Sequence, residues 1–332
     1  MKLKQFEKLI HVNNDIHDQN TQLSYDIDPK FNMDRLMKYG FILLDKPPGQ
    51  TSHEIVSTVK QILKISKAGH SGTLDPLVSG VLPIGLNDAT KALNILHLGA
   101  KEYHAIGRLH SFFTKEKITS VLSKFSGNIY QKPPQRSSVL RQTRIRKIFD
   151  IELIEKKDNL ILIRILCESG TYIRKLLYDI GELLGSGATM IELRRNQVSQ
   201  FNENDNHLVT LHELMDAYES WTQKNTYSKL QKIILPIEAA LSEIKAVVIL
   251  DSAVDALCHG AQLAIPGIIY ISPKIKKGDL VAIYTLKYEI VALAESIMSE
   301  NEIIKSTKGY AFKTKRIIMT PKTYQKNWRT KM

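Results

Sequence analysis

The sequence predicts an α+β protein in two parts, a larger mixed region followed by a small β-rich domain. Apolar runs of strand length alternate with helical patterns as far as about residue 235. Beyond residues 236–245 the texture becomes short strands and glycine turns, a domain of roughly 75 residues with limited burial. A chain of 332 residues with 43% hydrophobic content has enough apolar side chains for two cores.

Residues 1–35 are polar and rich in Asp and Asn, with weak periodicity, and read as a tail or an arm that docks elsewhere. Phe41-Ile42-Leu43-Leu44 is a buried strand stopped by Pro47-Pro48-Gly49. Thr51 and Glu54 have capping-box spacing, and Ile55, Val56, Val59, Ile62 and Leu63 follow at helical intervals. Residues 103–166 favour strands, with one helix over 115–125. Leu160-Ile161-Leu162-Ile163-Arg164-Ile165-Leu166 reads as a central strand. Gly170 breaks it, and Thr171 is positioned to cap a helix whose apolar face is Ile173, Leu176, Leu177, Ile180 and Leu184. Arg174 lies in its first turn, where a cation opposes the helix dipole and favours a carboxylate partner. In the C-terminal part, residues 247–250 and 280–284 read as strands and Lys277-Gly278-Asp279 as a turn.

Charge narrows the function. The 46 basic and 34 acidic residues give a net charge of +12 and a pI near 9.4, which favours a polyanionic partner. Within residues 131–149, Lys132, Arg136, Arg141, Arg144, Arg146 and Lys147 stand with no acidic residue. Arg144-Ile145-Arg146 has the alternation of a strand with a cationic outer face that can track phosphates. Residues 305–331 interleave cations with Tyr310, Phe312, Tyr324 and Trp328, a pattern suited to nucleic acid. Cys167 and Cys258 form neither a disulfide framework nor a zinc set, so a reducing, cytoplasmic compartment is expected. No apolar run reaches membrane-spanning length, and the N-terminus has no signal-like apolar region. There is no P-loop, and Gly181, Gly185 and Gly187 lack dinucleotide-binding spacing and read as a helix end. His97, His104 and His110 have no supporting ligand pattern, so no metal is expected.

The chemistry centres on Gly69-His70-Ser71-Gly72-Thr73-Leu74-Asp75-Pro76. Its glycines allow positive φ or close approach, and Pro76 restricts Asp75 to extended backbone, holding one carboxylate in place. By composition alone this is an ordinary turn. Together with other motifs in the same order, it resembles the catalytic loop of TruB-type pseudouridine synthases. Lys46-Pro47-Pro48-Gly49, Lys101-Glu102-Tyr103, Gly170-Thr171-Tyr172-Ile173-Arg174 and Glu192-Leu193-Arg194-Arg195 are each similar to further family motifs. The extension Leu77-Val78-Ser79-Gly80-Val81-Leu82-Pro83 is similar to the dyskerin-like branch, which works with H/ACA guide RNA.

The resemblance implies a mixed-sheet catalytic domain over residues 36–240. It also implies a β-barrel-like PUA domain over 245–320, an arm over 1–35 docking on it, and a basic tail over 321–332. Asp75 would be catalytic, Tyr103 would stack on the target base, and Arg174 would pair with Asp75. Leu193 would line the pocket, Tyr172 would serve proton steps, and His70 would help position the flipped nucleotide. Lys46 would support the loop. Arg141, Arg144 and Arg146 would contact RNA, as would Gly260, Ala261 and Lys277 in the PUA-like part. No cofactor is implied, since the isomerisation needs no oxidant, metal or energy source. The implied partners are substrate RNA, an H/ACA guide RNA, a zinc-ribbon-type peptide, a Gar-type protein and a kink-turn-binding ribosomal-type protein. A stand-alone enzyme acting on the T-arm of transfer RNA and a catalytically inert RNA-binding scaffold are the alternatives. The chain departs from the family at Ser111-Phe112-Phe113, Leu77 and Leu140, which bears on local RNA contacts.

Overall fold

The computed structural model describes residues 6, 8–12, 33–132, 142–224 and 226–325. The chain divides into two compact units. One comprises residues 42–84 and 94–233; the other comprises residues 1–41, 85–93 and 234–332.

The first unit carries most of the residues of a mixed sheet. Its strands run in the order Leu208–Val209, Gly40–Lys46, Ser79–Leu86, Ala188–Val198, Lys101–Leu109, Leu160–Cys167, Arg144–Lys157 and Gly127–Gln131. Leu208–Val209 runs parallel to Gly40–Lys46, and Ser79-Gly80 runs parallel to Arg194-Arg195; the Lys101–Leu109 neighbours are antiparallel. Leu160–Cys167 lies inside the sheet, as its apolar run predicts, with Ile161, Ile163, Ile165 and Cys167 buried. Those side chains share a core with Leu176, Leu177 and Ile180 of the Ile173–Leu184 helix and with Leu74, Ala105 and Leu193. That helix closes on Gly185 in the left-handed region (φ 86°), a conformation that glycine adopts without a Cβ penalty.

Local rules place the helix that precedes the Asp75 loop. Ser52–Leu63 begins with the complete capping box of Thr51 and Glu54, and Ile55, Val56, Val59 and Leu63 are buried along one face. The predicted 115–125 helix is an α-helix at Lys115–Leu122 extended by a 3-10 turn at Ser123–Phe125.

Two local expectations are corrected. Thr171 does not cap the following helix: Tyr172 occupies the N-cap position, and the Thr171 hydroxyl donates to the Glu168 carbonyl at 2.7 Å. A Gly-Thr pair after a strand leaves either of two residues able to start the helix, and the tight turn consumes the hydroxyl. The faces of Arg144-Ile145-Arg146 are also reversed. Arg144 and Arg146 lie on the partly buried side with Ile148, whereas Ile145 is 52% exposed. Alternation shows which residues share a face but not which face meets the core. Arg141 and Leu140 lie outside the described residues.

The second unit carries a sheet ordered Ile10–His11, Ile268–Ile271, Lys245–Ile249, Leu280–Tyr284, Ile290–Ser296, Tyr310–Ile317 and Leu263–Ala264. Its core includes Val247, Ile249, Ile268, Val281, Ile283, Val291 and Phe312. The N-terminal strand adds to its edge, with Ile10 opposite Ile271 and His11 opposite Tyr270. Phe6 is buried against the rings of Tyr284 and Tyr288. Trp328 lies outside the described residues.

Candidate active site

The loop around Asp75 is held by side chains reaching it from other parts of the first unit. The Ser52 hydroxyl accepts from the Leu74 N–H at 2.9 Å and donates to the Leu74 carbonyl at 3.1 Å. Lys46, fully buried at the end of its strand, donates to the carbonyls of Pro47 (3.0 Å), Pro76 (2.9 Å) and Val78 (2.8 Å). The Gly49 N–H donates to the Pro76 carbonyl at 2.9 Å, so the Pro-Pro-Gly turn also grips the loop. On the other side Arg195, 2% exposed, donates to the carbonyls of Val81 (2.9 Å) and Gly72 (3.1 Å).

Positive φ favours glycine at two of these points, and at Gly80 close packing requires it as well. Gly80 has φ 109°, and a Cβ there would lie 2.2 Å from the Arg195 carbonyl oxygen. Gly72 has φ 92° and faces the Arg195 guanidinium. The resulting frame leaves the Asp75 side chain in solvent, joined to Arg174 Nη2 at 3.0 Å; the two side chains are 60% and 65% exposed. An ion pair this open contributes about 0–1 kcal/mol to stability. The buried donors therefore hold the loop, and the Arg174 contact aims the carboxylate. Arg174 stands in the first turn of a helix that has no acidic residue there, so Asp75 supplies the negative charge that such a terminus favours.

Tyr103 lies beside this frame. It is opposite Arg195 in the sheet register, is partly buried, and packs on the cluster containing Leu74, Ala105 and Leu193. Burial pushes its phenol above the usual tyrosine value, so it stays neutral and presents an uncharged ring. Leu193, 8% exposed, belongs to the same cluster. Tyr172 starts the Arg174 helix, its backbone gripped by the Gln131 side chain. His70 is half-buried, its ring 5.3 Å from that of His53, and its Nδ1 is buried with no hydrogen-bond partner among the described residues. Burial, and then His53, Arg195 and His97, push its pKa down to about 4, so it is a neutral ring at physiological pH.

Consecutive residues of one strand face opposite ways, and that divides two pairs of charges. Lys46 and Arg195 point to the loop. Their neighbours Asp45 and Arg194 meet in a two-point contact at 2.9 and 3.1 Å, with Glu203 also on Arg194 at 2.9 Å. Sequence reasoning singled out Leu193 from its motif and missed Arg195 and Ser52. Two adjacent arginines in a strand were a signal, since one of them must face inward. Ser52 carried none, because its partner is 22 residues away.

The remaining RNA-contact expectations lie elsewhere. Arg146 packs over Gly170, where a Cβ would sit 3.2 Å from its Nε, and pairs with Glu168 at 3.8 Å. In the second unit Gly260 and Ala261 are exposed, with Gly260 at φ 92° and the Ala261 carbonyl accepting from the Thr314 hydroxyl. Lys277 is exposed but committed to Glu302 at 2.7 Å. No group of three or more potential metal ligands occurs among the described residues. Among them, no helix is long and apolar enough to cross a membrane.

Comparison with known families matches residues 60–112 and 110–173 to the N-terminal domain of TruB family pseudouridylate synthases. Residues 174–242 match the tRNA pseudouridylate synthase B C-terminal domain, 245–318 a PUA domain and 1–56 a DKCLD domain. The chain belongs to the TruB family of pseudouridine synthases. Members of this family are RNA isomerases. A probable tRNA pseudouridine synthase B of Archaeoglobus fulgidus is 44% identical over 314 residues, 94% of this chain and 96% of the relative. One of Pyrococcus abyssi is 47% identical over 292 residues, 88% and 87% of the two chains. Among solved structures, a chain of an H/ACA RNP bound to a substrate RNA containing 2'-deoxyuridine has TM-score 0.86 at 42% identity, covering 97% of each chain. A chain of a Cbf5–Nop10–Gar1 complex matches with TM-score 0.86 at 42% identity, covering 97% of this chain and 98% of that one. The TruB resemblance read from the motifs, with its dyskerin-like branch, agrees with these matches.

Proposed function

We propose that this TruB-family enzyme isomerises uridine in RNA as the catalytic subunit of an H/ACA-type guide RNA–protein complex, with Asp75 as its catalytic residue. The observation that carries the assignment of Asp75 is the contrast at the loop. Buried hydrogen bonds from Lys46, Ser52 and Arg195 immobilise the backbone on both sides of Asp75 while its carboxylate stays open to solvent and aimed by Arg174. Such rigid support for one exposed acid suits a group that must meet a substrate in a fixed geometry.

The reaction breaks the N-glycosidic bond, turns the uracil and rejoins it through C5. The base must first leave its stack. Tyr103 then supplies a neutral ring to stack on it, and Leu193 lines the pocket. Asp75 acts as an ionised group, whether on the sugar carbon, on the base or on a sugar proton. Tyr172 serves the proton steps and His70 positions the flipped nucleotide, while Lys46 holds the loop.

The catalytic domain in this reading spans residues 36–240 and the PUA domain 245–320; most of the 1–35 arm lies outside the described residues. Arg144, Arg146, Gly260, Ala261 and Lys277 contact RNA. The partners are substrate RNA, an H/ACA guide RNA and accessory proteins of zinc-ribbon, Gar and kink-turn-binding types. The similarity over nearly the full chain to subunits of H/ACA and Cbf5–Nop10–Gar1 complexes supports this. Two buried free cysteines fit a cytoplasmic location.

A second reading, a stand-alone enzyme of the transfer RNA T-arm, is favoured by the curated relatives, which are described as tRNA pseudouridine synthases B. Pseudouridine formation by the purified chain separates the two, using transfer RNA and a guide-paired RNA, with and without guide and accessory proteins. The guide-dependent reading expects product on the paired RNA only when guide and partners are present. Efficient product on transfer RNA by the chain alone, with none on the paired RNA under any condition, overturns it.

A further inference from the structure

We propose that Gln131 is a positioning residue for the reaction, setting Arg174 against Asp75 by gripping the start of the helix that carries Arg174. The proposal rests on the reading that the Asp75–Arg174 pair acts in catalysis.

Gln131 ends the Gly127–Gln131 strand and is 2% exposed. Its amide carbonyl accepts from the Tyr172 N–H at 2.9 Å, and its amide NH₂ donates to the Tyr172 carbonyl at 3.1 Å. A buried glutamine is thus spent on the backbone of one residue, and that residue is the helix N-cap. A capping box satisfies the N-cap N–H through an acid or amide at the third helical position. Here the third position is Lys175, which has no acceptor and is engaged with Asp179 one turn on. Tyr172 makes no side-chain cap either. Gln131 supplies the missing acceptor from another strand, 41 residues away.

The adjoining strand pins the same turn. The Glu168 N–H donates to the Lys147 carbonyl at 2.8 Å, and the Lys147 N–H donates to the Glu168 carboxylate at 3.1 Å. Arg146 lies over Gly170. Residues 168–172 are therefore fixed from two strands, and Arg174 follows two residues after the Gln131 contact. Its own side chain is exposed, so little but the helix start determines where its guanidinium can reach. A displacement of about 1 Å at a catalytic contact can cost about 100-fold in rate.

The test is a double-mutant cycle on the full chain assembled with guide RNA and accessory proteins, read by single-turnover rate and RNA affinity. Gln131→Met keeps the length of the side chain and removes both hydrogen bonds. It is expected to slow turnover about 10- to 100-fold with RNA affinity within about twofold of wild type. In an Arg174→Lys background the same change is expected to cost less than about twofold, because its effect runs through Arg174. Gln131→Glu keeps the acceptor for the Tyr172 N–H; it is expected to be intermediate and carries the cycle if the methionine variant does not fold. An unchanged rate, or equal slowing in both backgrounds, overturns the role of Gln131. A wild-type rate for Arg174→Lys alone would instead refute the pair's part in catalysis, and this proposal with it.

Discussion

Replacing Ser52 with alanine tests whether the fold, rather than the exposed ion pair, holds the catalytic loop. Ser52 is 1% exposed and Leu74 4% exposed, so the hydroxyl and both backbone groups it serves are shielded from water. Alanine removes two hydrogen bonds and leaves the N–H and carbonyl of the residue before Asp75 without the partner seen at 2.9 and 3.1 Å. Each buried group left unsatisfied costs about 1–3 kcal/mol, so an unmoved loop would lose about 2–6 kcal/mol. Relaxation of the loop toward solvent lowers that figure, but only in part, because Lys46 and Arg195 still anchor its flanks. The expected result is a loss of about 2–4 kcal/mol in urea unfolding. Displacement of Asp75 should slow single turnover at least about tenfold. RNA affinity should not change, since Ser52 offers nothing to a phosphate. A variant within about 0.5 kcal/mol of wild type and with full turnover would show that Leu74 is satisfied otherwise and that this reasoning about the loop is wrong.

Gly80→Ala should destabilise the chain by about 3 kcal/mol or more, because the new Cβ meets the Arg195 backbone from a strained positive φ; a thermal melt reads it directly. Lys46→Met strips three carbonyls of a buried donor and should cost about 3 kcal/mol in denaturant unfolding. His70 gives a pH signature. The folded ring resists protonation until about pH 4, whereas the unfolded chain takes up that proton near 6.5. The unfolded state therefore binds more protons across this window, and stability falls as pH falls from 6.5 toward 4. His70→Asn should flatten that part of the curve, and an unchanged slope would count against the buried, neutral ring.

Much of the site was legible because its signals are local. A capping box fixes the start of the Ser52–Leu63 helix, and an apolar run bounded by glycine marks the Leu160–Cys167 strand. The pairing of Asp75 with Arg174 came from motif resemblance, although the two are 99 residues apart. What escaped depends on tertiary partners. Nothing near Ser52 or Gln131 announces a buried contact 22 or 41 residues distant. The reversed faces of Arg144 and Arg146 reflect the packing of the sheet, which a period-two pattern leaves undetermined. The assignment of residues 85–93 to the second unit has no compositional mark at all.

The most direct test of the central claim is Asp75→Asn in the assembled complex, with pseudouridine measured by mass spectrometry alongside RNA affinity. The substitution removes one exposed carboxylate while keeping its shape, so the backbone frame from Lys46, Ser52 and Arg195 should persist. If Asp75 carries the isomerisation, product disappears while RNA affinity stays within about twofold, since one loop carboxylate contributes little to phosphate binding. Substantial turnover by the asparagine variant would place the chemistry on another residue.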